Sequence, residues 1–288
     1  MAERGAQLRE HIDLSPGPAL VLRAIGELLT GSADTAAELA QRAATAAHQA
    51  RDPEWLLYAH GLHGRAEYLR GNPVDAARWL AEASTIGHEI GYLDPAFFLL
   101  DADLAEALVV SANPDKATEV VTEARTRADH LGRPVVLLGL TRAAAQIRAA
   151  RGEPRQAADD LRAALPAEHP YPLEVARAWF TLGQLERKAR RRAAAATALR
   201  EAHRRFTLAG CTTWRLRTER ETTQLEPHNT PLTEVECRIA TLVRDGATNQ
   251  KIATSLHLSV KAVEANLTKI YRKTGTHNRV ELAQHLDE

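Results

Sequence analysis

Small residues return in register along the first 225 residues of this 288-residue chain. Turn-forming positions stand at Gly31, Gly71, Ala112, Gly152 and Arg190, spaced 40, 41, 40 and 38 residues apart. Seven residues before each mark lies Ala24, Gly64, Ala105, Ala145 or Gly183, and five residues after it Ala36, Ala76, Ala117, Ala157 or Ala195. Twelve residues after it come Ala43, Ala83, Ala124, Ala164 and Ala202, and nine after it Ala40, Leu80, Val121, Leu161 and Leu199. Small side chains recur where the two helices of a hairpin would touch, and larger apolar ones where neighbouring hairpins would stack. One hairpin cannot bury its own apolar face, so a repeat of this length has to stack on its neighbours. Pro73, Pro114 and Pro154 follow the turns at the first position of a helix, where the missing N–H is not needed.

The pattern resembles tetratricopeptide repeats with a period nearer 40 than the usual 34, which implies an all-α, right-handed helical-hairpin solenoid. A proline-rich loop from Leu165 to Pro172 interrupts one repeat, and Cys211 to Leu225, with Trp214 and Leu216, reads as a closing helix. Glu226-Pro-His-Asn-Thr-Pro231 has no periodicity and reads as a linker. The expected division is therefore a repeat domain over 1–225, a linker over 226–231 and a second domain over 232–288. The high alanine content and the 5% of aromatic residues favour closely packed helices.

The second domain has a different rhythm. Thr233 and Glu236 form a T-x-x-E capping pair at the start of a helix over 234–244 that ends at Asp245-Gly246. Ile252, Ala253 and Leu256 mark the buried stripe of a short helix. Ser259 then caps a longer one whose core side is Val263, Leu267 and Ile270. Its other side carries Lys261, Glu264, Ala265, Thr268, Lys269, Arg272 and Lys273. Arg279 to Leu286 reads as a fourth helix. A short helix, a tight turn and a longer helix make a helix-turn-helix, whose second helix suits a DNA major groove. Between Lys261 and Arg279 there are five basic residues and one acidic, so Lys261, Lys269, Arg272, Lys273 and Arg279 are candidate phosphate contacts.

The block Leu232-Thr233, Glu236, Gly246, Asn249, Ile252-Ala253, Leu256, Ser259-x-Lys261-x-Val263-Glu264, Leu267, Ile270 to Lys273, Gly275 and Asn278-Arg279-x-Glu281-Leu282-Ala283 resembles the LuxR-type DNA-binding domain. That family usually has other residues at Val235, Arg238, Lys251, Ala262, Asn266 and Thr274. The resemblance implies base contacts from Glu264, Ala265 and Thr268, early on the recognition helix. It implies a dimer face from Val280, Leu282, Ala283 and Leu286, and double-stranded DNA carrying an inverted repeat as the partner of a homodimer. The order of repeats followed by a LuxR-type unit is similar to the C-terminal part of large ATP-dependent LuxR-type regulators, whose nucleotidase is not expected here: no G-x-x-x-x-G-K-[ST] occurs.

With 37 basic and 37 acidic residues, whole-chain charge points to no nucleic acid, so any such signal is local. His60 and His63, near His48 and His88, lack a completing carboxylate or thiol at ligand spacing, so they read as surface or packing histidines of a repeat rather than a metal site. Asp101, Asp103 and Glu106 read as a solvated acidic face, and Cys237 as a packing residue. The run from Leu185 to Arg220 holds eleven basic and three acidic residues. It reads as a solvated face, with DNA contact or pairing with the acidic stretch 94–123 of a neighbouring subunit as alternatives. Trp55, Trp79, Trp179 and Trp214 divide between core and groove. Two cysteines make no disulfide framework, and the N-terminus has no apolar signal region, so a cytoplasmic protein is expected. No membrane, metal or cofactor association and no catalytic group is expected. The expected function is transcriptional regulation, with an effector or partner bound by the repeats. The rival reading is an adaptor whose helix-turn-helix unit is vestigial or binds protein.

Overall fold

The computed structural model describes residues 15–96, 98–166, 169–223, 225, 232–274, 276 and 278–285, and the side chains of Arg272 and His285 fall outside that description. The chain divides into two compact units, one running to Glu221 and the other beginning at Thr222. The expected linker, 226–231, lies outside the described residues. Among the described residues there is no strand, and no helix is long and apolar enough to cross a membrane.

Among the described residues of the first unit, ten helices pair into five hairpins: α1 (Gly17–Thr30) with α2 (Ala33–Gln49), α3 (Pro53–Arg70) with α4 (Pro73–Glu89), α5 (Leu100–Val110) with α6 (Pro114–Leu131), α7 (Leu137–Ala150) with α8 (Pro154–Ala163), and α9 (Pro172–Lys188) with α10 (Arg192–Leu208). Each hairpin also packs on the next. The repeat marks are the hairpin turns. Gly71, Ala112, Gly152 and Arg190 all adopt left-handed φ, at 89°, 63°, 95° and 60°. The following N–H then reaches back to a carbonyl five residues earlier: Asn72 to Glu67, Asn113 to Leu108, Glu153 to Arg148 and Arg191 to Glu186, at 2.8–3.2 Å. That bond satisfies a carbonyl left open at the helix end. Gly31 differs, with φ −112°. Pro53 and Pro172 open α3 and α9 as Pro73, Pro114 and Pro154 open the second helices.

Ala36, Ala76, Ala117, Ala157 and Ala195 are all fully buried, as are Ala43, Ala83, Ala124 and Ala202. Ala164 is exposed, because α8 ends one residue before it and the proline-containing loop begins there. The position seven before the turn meets the position nine after it: a methyl group built on Gly64 would stand 2.6 Å from Leu80 Cγ, and one on Gly183 2.6 Å from Leu199 Cγ.

The closing helix, α11 (Thr212–Thr223), buries Trp214 between Phe206 and Phe180, with ring centroids 5.6 Å away on each side. It also returns to the start of the stack: Thr213 Oγ1 donates to the Gly31 carbonyl at 3.4 Å and Arg217 Nη1 to that of Tyr68 at 3.2 Å. Leu216, expected to share this packing, is exposed.

The solvated acidic face is corrected. Asp103 and Glu106 are buried in a network that joins α3, α5, α7 and α9. Arg65 Nε donates to Asp103 at 2.6 Å, and Arg177 bonds Asp103, Glu106 (3.3 Å) and Glu174 (3.0 Å). Arg142 bonds Glu106 and, at 3.1 Å, Glu174. Burial opposes ionisation of Asp103, yet Arg177, Arg65 and Arg142 outweigh it and hold this carboxyl below its usual range. For Glu106 burial outweighs Arg142 and Arg177 and pushes the carboxyl up. Asp101 pairs with Arg127 at 2.7 Å. Helical periodicity placed these acids on one face but could not show that arginines from three other helices meet them there.

Other acids of the stretch are likewise engaged within the chain, Asp94 with Arg133 and Asp115 with Arg151 at 2.6 and 2.8 Å. Much of the basic run is paired too: Arg191 with Asp159, Arg187 with Glu221, Arg204 and Arg205 with Glu201, and Arg215 with Glu219. His63 stacks on Trp79 at 4.6 Å and His60 meets the same ring edge-on at 4.8 Å, as packing residues do. Among the described residues no group of three or more His, Cys, Asp or Glu could hold a metal ion.

Candidate nucleic-acid interface

The second unit holds α12 (Glu234–Arg244), α13 (Asn249–Leu256), α14 (Val260–Thr274) and α15 (Arg279–His285). Each helix start is set by a short polar side chain. Thr233 Oγ1 accepts from Glu236 N at 3.3 Å while Glu236 Oε2 accepts from Thr233 N at 2.7 Å, a complete capping box. Thr248 caps α13 through Lys251 N, and Ser259 caps α14 through Ala262 N at 3.1 Å. Asn278 caps α15 through Glu281 N, and its amide returns a bond to the Glu281 carboxylate. The turn between α13 and α14 is made by His257 at φ 53°, after which Leu258 N bonds the Ala253 carbonyl.

These caps fix the lengths, and the core fixes the angles. Ile239, Ala240 and Val243 from α12, Ile252 and Ala253 from α13, Val263, Leu267 and Ile270 from α14 and Leu282 from α15 form one cluster. The opposite side of α14 is therefore turned outward: Lys261, Glu264, Ala265, Thr268 and Lys269 are all exposed. They make one uninterrupted stripe of two cations, a carboxylate, a methyl and a hydroxyl. The Thr268 hydroxyl donates to the Glu264 carbonyl at 3.0 Å, which presents its methyl and an acceptor lone pair outward.

Two of the expected phosphate contacts do other work here. Lys273 Nζ lies 2.5 Å from Glu236 Oε2 and is mostly buried, so it ties α14 to the capping box of α12. Arg279 donates to Asn249 Oδ1 at 3.2 Å and to the Ala247 carbonyl, holding α15 to the segment that opens α13. The Arg272 side chain and Leu286 lie outside the described residues. Within the expected dimer face, Leu282 is fully buried in the domain's own core and is withdrawn from it; Val280 is 66% exposed and Ala283 half-buried. A helix period puts Val280 and Leu282 about 200° apart, so the two cannot share a surface. Cys237, expected to pack, is exposed.

Lys251, one of the positions where the family usually has another residue, is absent from the expected phosphate contacts, yet it is exposed in the first turn of α13, where the helix dipole favours an anion. Val235 is also exposed, and Asn266 bonds the Ala262 carbonyl at 2.8 Å. None of these three unusual residues enters the core, so none disturbs the fold.

Lys273 first, and the Thr233 backbone N–H next, hold the Glu236 carboxyl down to about 2. Its pKa is depressed on folding, so its stabilisation is present above the ordinary carboxylate range and is lost as pH falls toward 2. Glu236→Gln is expected to lower the stability of this unit at neutral pH and to flatten its acid dependence between about pH 5 and pH 2. The methyl NMR signals of Ile252 and Ile270 in the full chain would report it. An unchanged acid profile would contradict this assignment.

Four capped helices with an outward-facing third helix define a helix-turn-helix DNA-binding unit. Residues 230–286 match the family model for bacterial regulatory proteins of the luxR family, so this unit is a LuxR-type domain. The transcriptional regulatory protein ComA of Bacillus subtilis (strain 168) is 46% identical over 50 residues, which are 17% of this chain and 23% of that protein. The match thus spans about a quarter of that relative's length. In overall fold the chain is similar to BtubC (BKLC) from P. vanneervenii, whose crystal structure aligns with a TM-score of 0.50 at 17% identity, over 72% of this chain and 87% of that one. At that identity the likeness concerns the fold alone.

Proposed function

We propose that the chain is a sequence-specific DNA-binding transcriptional regulator, in which the helical-hairpin domain receives an effector or partner that controls the DNA-binding output. The observation that carries the reading is the exposed stripe on α14, backed by a buried stripe of the same helix. Lys261 and Lys269 flank Glu264, Ala265 and Thr268, which is the arrangement of phosphate contacts around base contacts. Glu264 suits a cytosine amino group, and the methyls of Ala265 and Thr268 suit a thymine methyl. Lys251 joins the phosphate contacts. Lys273 and Arg279 position the recognition helix, and removing them weakens DNA binding by loosening the domain. Val280 and Ala283 are the part of α15 left for a homodimer contact on an inverted repeat. Arg190, Arg192 and Arg220, which make no ion pair among the described residues, leave part of the basic run for non-specific phosphate contact.

Val235, Lys251 and Asn266, where the family usually has other residues, all sit away from the domain core, which favours the DNA-binding reading over the adaptor. The test compares two exposed neighbours on a duplex enriched from a random pool. Lys269→Ala is expected to weaken binding to all sequences alike and to reduce the salt slope by about 1. Thr268→Ala is expected to relax the preference at one base position, by about 1 kcal/mol or more. Fluorescence anisotropy on the cognate duplex and its single-base variants reads both. If the two substitutions act alike, the sorting of contacts is wrong; if neither alters binding, the stripe on α14 is not the interface.

A further inference from the structure

The inner side of the first unit contains a cavity of about 300 Å³. It is lined in part by Ala96, Phe98 and Leu99 from the segment between α4 and α5, where residues 90–96 and 98–99 are not helical. Phe98 from that segment wedges against Tyr58, at 5.1 Å between ring centroids, and lies under the Arg65 guanidinium at 4.3 Å. Gly61 makes room for it, since a methyl there would stand 2.5 Å from the Phe98 ring. Helices α1, α3, α5, α9 and α11 all contribute to the walls, so the cavity depends on the stack curling back until α11 meets α1 and α3.

The walls are mostly apolar. Ile25, Leu29, Leu69, Leu99 and Leu173 line the cavity and are only half-buried, the pattern of side chains that face a void rather than a neighbour. The polar end is the ionic network, and its charges balance: Arg65, Arg142 and Arg177 against Asp103, Glu106 and Glu174, all bonded to one another. A charged ligand would find no free counter-charge and would have to break one of these pairs. Arg217, nearby, is not a lining residue. It donates to the Tyr68 carbonyl and lies over the rings of Tyr68, Phe180 and Trp214. One polar group of the wall has hydrogen-bonding capacity to spare: the Tyr68 hydroxyl has no hydrogen-bond partner among the described residues, and as a donor it suits an oxygen acceptor.

We propose that this cavity is a binding site for a small uncharged molecule with an apolar body and a carbonyl or hydroxyl oxygen at one end, the oxygen directed at Tyr68. The volume is at the lower end of the range of about 300–1000 Å³ for small-molecule sites, which fits such a molecule better than a polypeptide segment. The proposal rests on the reading of the helical domain as the receiving half of a regulator, and names the chemical class it receives.

The test uses the full chain and two naphthalene probes: prodan, which is uncharged and carries a ketone, and 8-anilinonaphthalene-1-sulfonate, which carries a permanent negative charge. Prodan is expected to bind saturably at one site, with its emission shifted to the blue. The sulfonate should bind at least about tenfold more weakly, since it must break a pair in the network. Tyr68→Phe removes one hydrogen bond and should weaken prodan by about three- to tenfold. Leu173→Trp, which fills the cavity from a half-exposed position, should weaken it by more than about tenfold. Absent or non-saturable prodan binding, equal or tighter binding of the sulfonate, or an affinity unchanged by Tyr68→Phe would each overturn the proposal. So would an unaltered affinity in a folded Leu173→Trp protein, and if that variant does not fold, Tyr68→Phe decides. DNA binding is measured in parallel: its loss bears on the proposed function alone, because prodan binding needs no DNA. Saturable prodan binding without any change in DNA affinity supports the site and contradicts its coupling to the output.

Discussion

Arg142→Met is expected to destabilise the helical domain by about 3–5 kcal/mol, the range for removing one partner of a buried ion network. Arg142 is 1% exposed and bonds both Glu106 and Glu174, so its loss leaves three buried carboxylates facing only Arg65 and Arg177. Burying a carboxylate without its partner is far more costly than losing a surface pair. Against a whole-domain stability of about 5–15 kcal/mol, this is enough to change the fraction folded at ordinary temperatures. Adding Glu106→Gln restores the charge balance, and the double variant should recover part of the loss. Urea unfolding followed by far-UV circular dichroism measures both. A cost under about 1 kcal/mol for Arg142→Met would mean that the network is solvated and that its arginines are interchangeable with surface ones.

The second large effect concerns two helical glycines with opposite surroundings. At Gly64 a methyl would stand 2.6 Å from Leu80 Cγ and 3.0 Å from the Ala76 carbonyl, so α3 and α4 approach to backbone contact there. Gly64→Val should cost about 3 kcal/mol, the upper part of the usual overpacking range, because the carbonyl cannot turn away as a flexible side chain would. Gly26 is exposed on α1 with nothing within 4 Å of a built methyl. Gly26→Ala should therefore stabilise by up to about 1 kcal/mol through helix propensity alone. Opposite shifts in the thermal midpoint are the expected result, and a Gly64→Val midpoint equal to the parent's would remove the argument for close hairpin packing.

The hairpin architecture was legible because its two determinants are local. A left-handed turn residue and a small residue at each helix crossing leave a period of about 40 in the sequence, and the structure places Gly71, Ala112, Gly152 and Arg190 at the turns. The helix-turn-helix was legible for the same reason, through Thr233, Glu236 and Ser259 at the caps and an apolar stripe on α14. What escaped were contacts between residues distant in sequence. Asp103 meets Arg177 across 74 positions and Lys273 meets Glu236 across 37, and neither periodicity nor charge count reports such meetings. For that reason a buried network read as a solvated face, and two internal clamps, Lys273 and Arg279, read as free cations. Leu282 is a third such case, since its partners in the core come from α12, α13 and α14.

Lys251 does carry a local signal. Thr248 stands three residues before Lys251, the spacing of a cap, and that places Lys251 in an exposed first helical turn. The wedge at Phe98 was not readable in the same way. In the sequence the segment between α4 and α5 shows only as a break between helices, and the cavity that its Phe98 lines draws on helices from both ends of the stack.

Selection of duplexes from a random DNA pool by the full chain, carried out at two salt concentrations, tests the central claim most directly. The account predicts enrichment of an inverted repeat whose half-sites lie about one helical turn apart, with affinity falling steeply as salt rises. A pool that stays random, or binding that is absent or indifferent to salt, would contradict it.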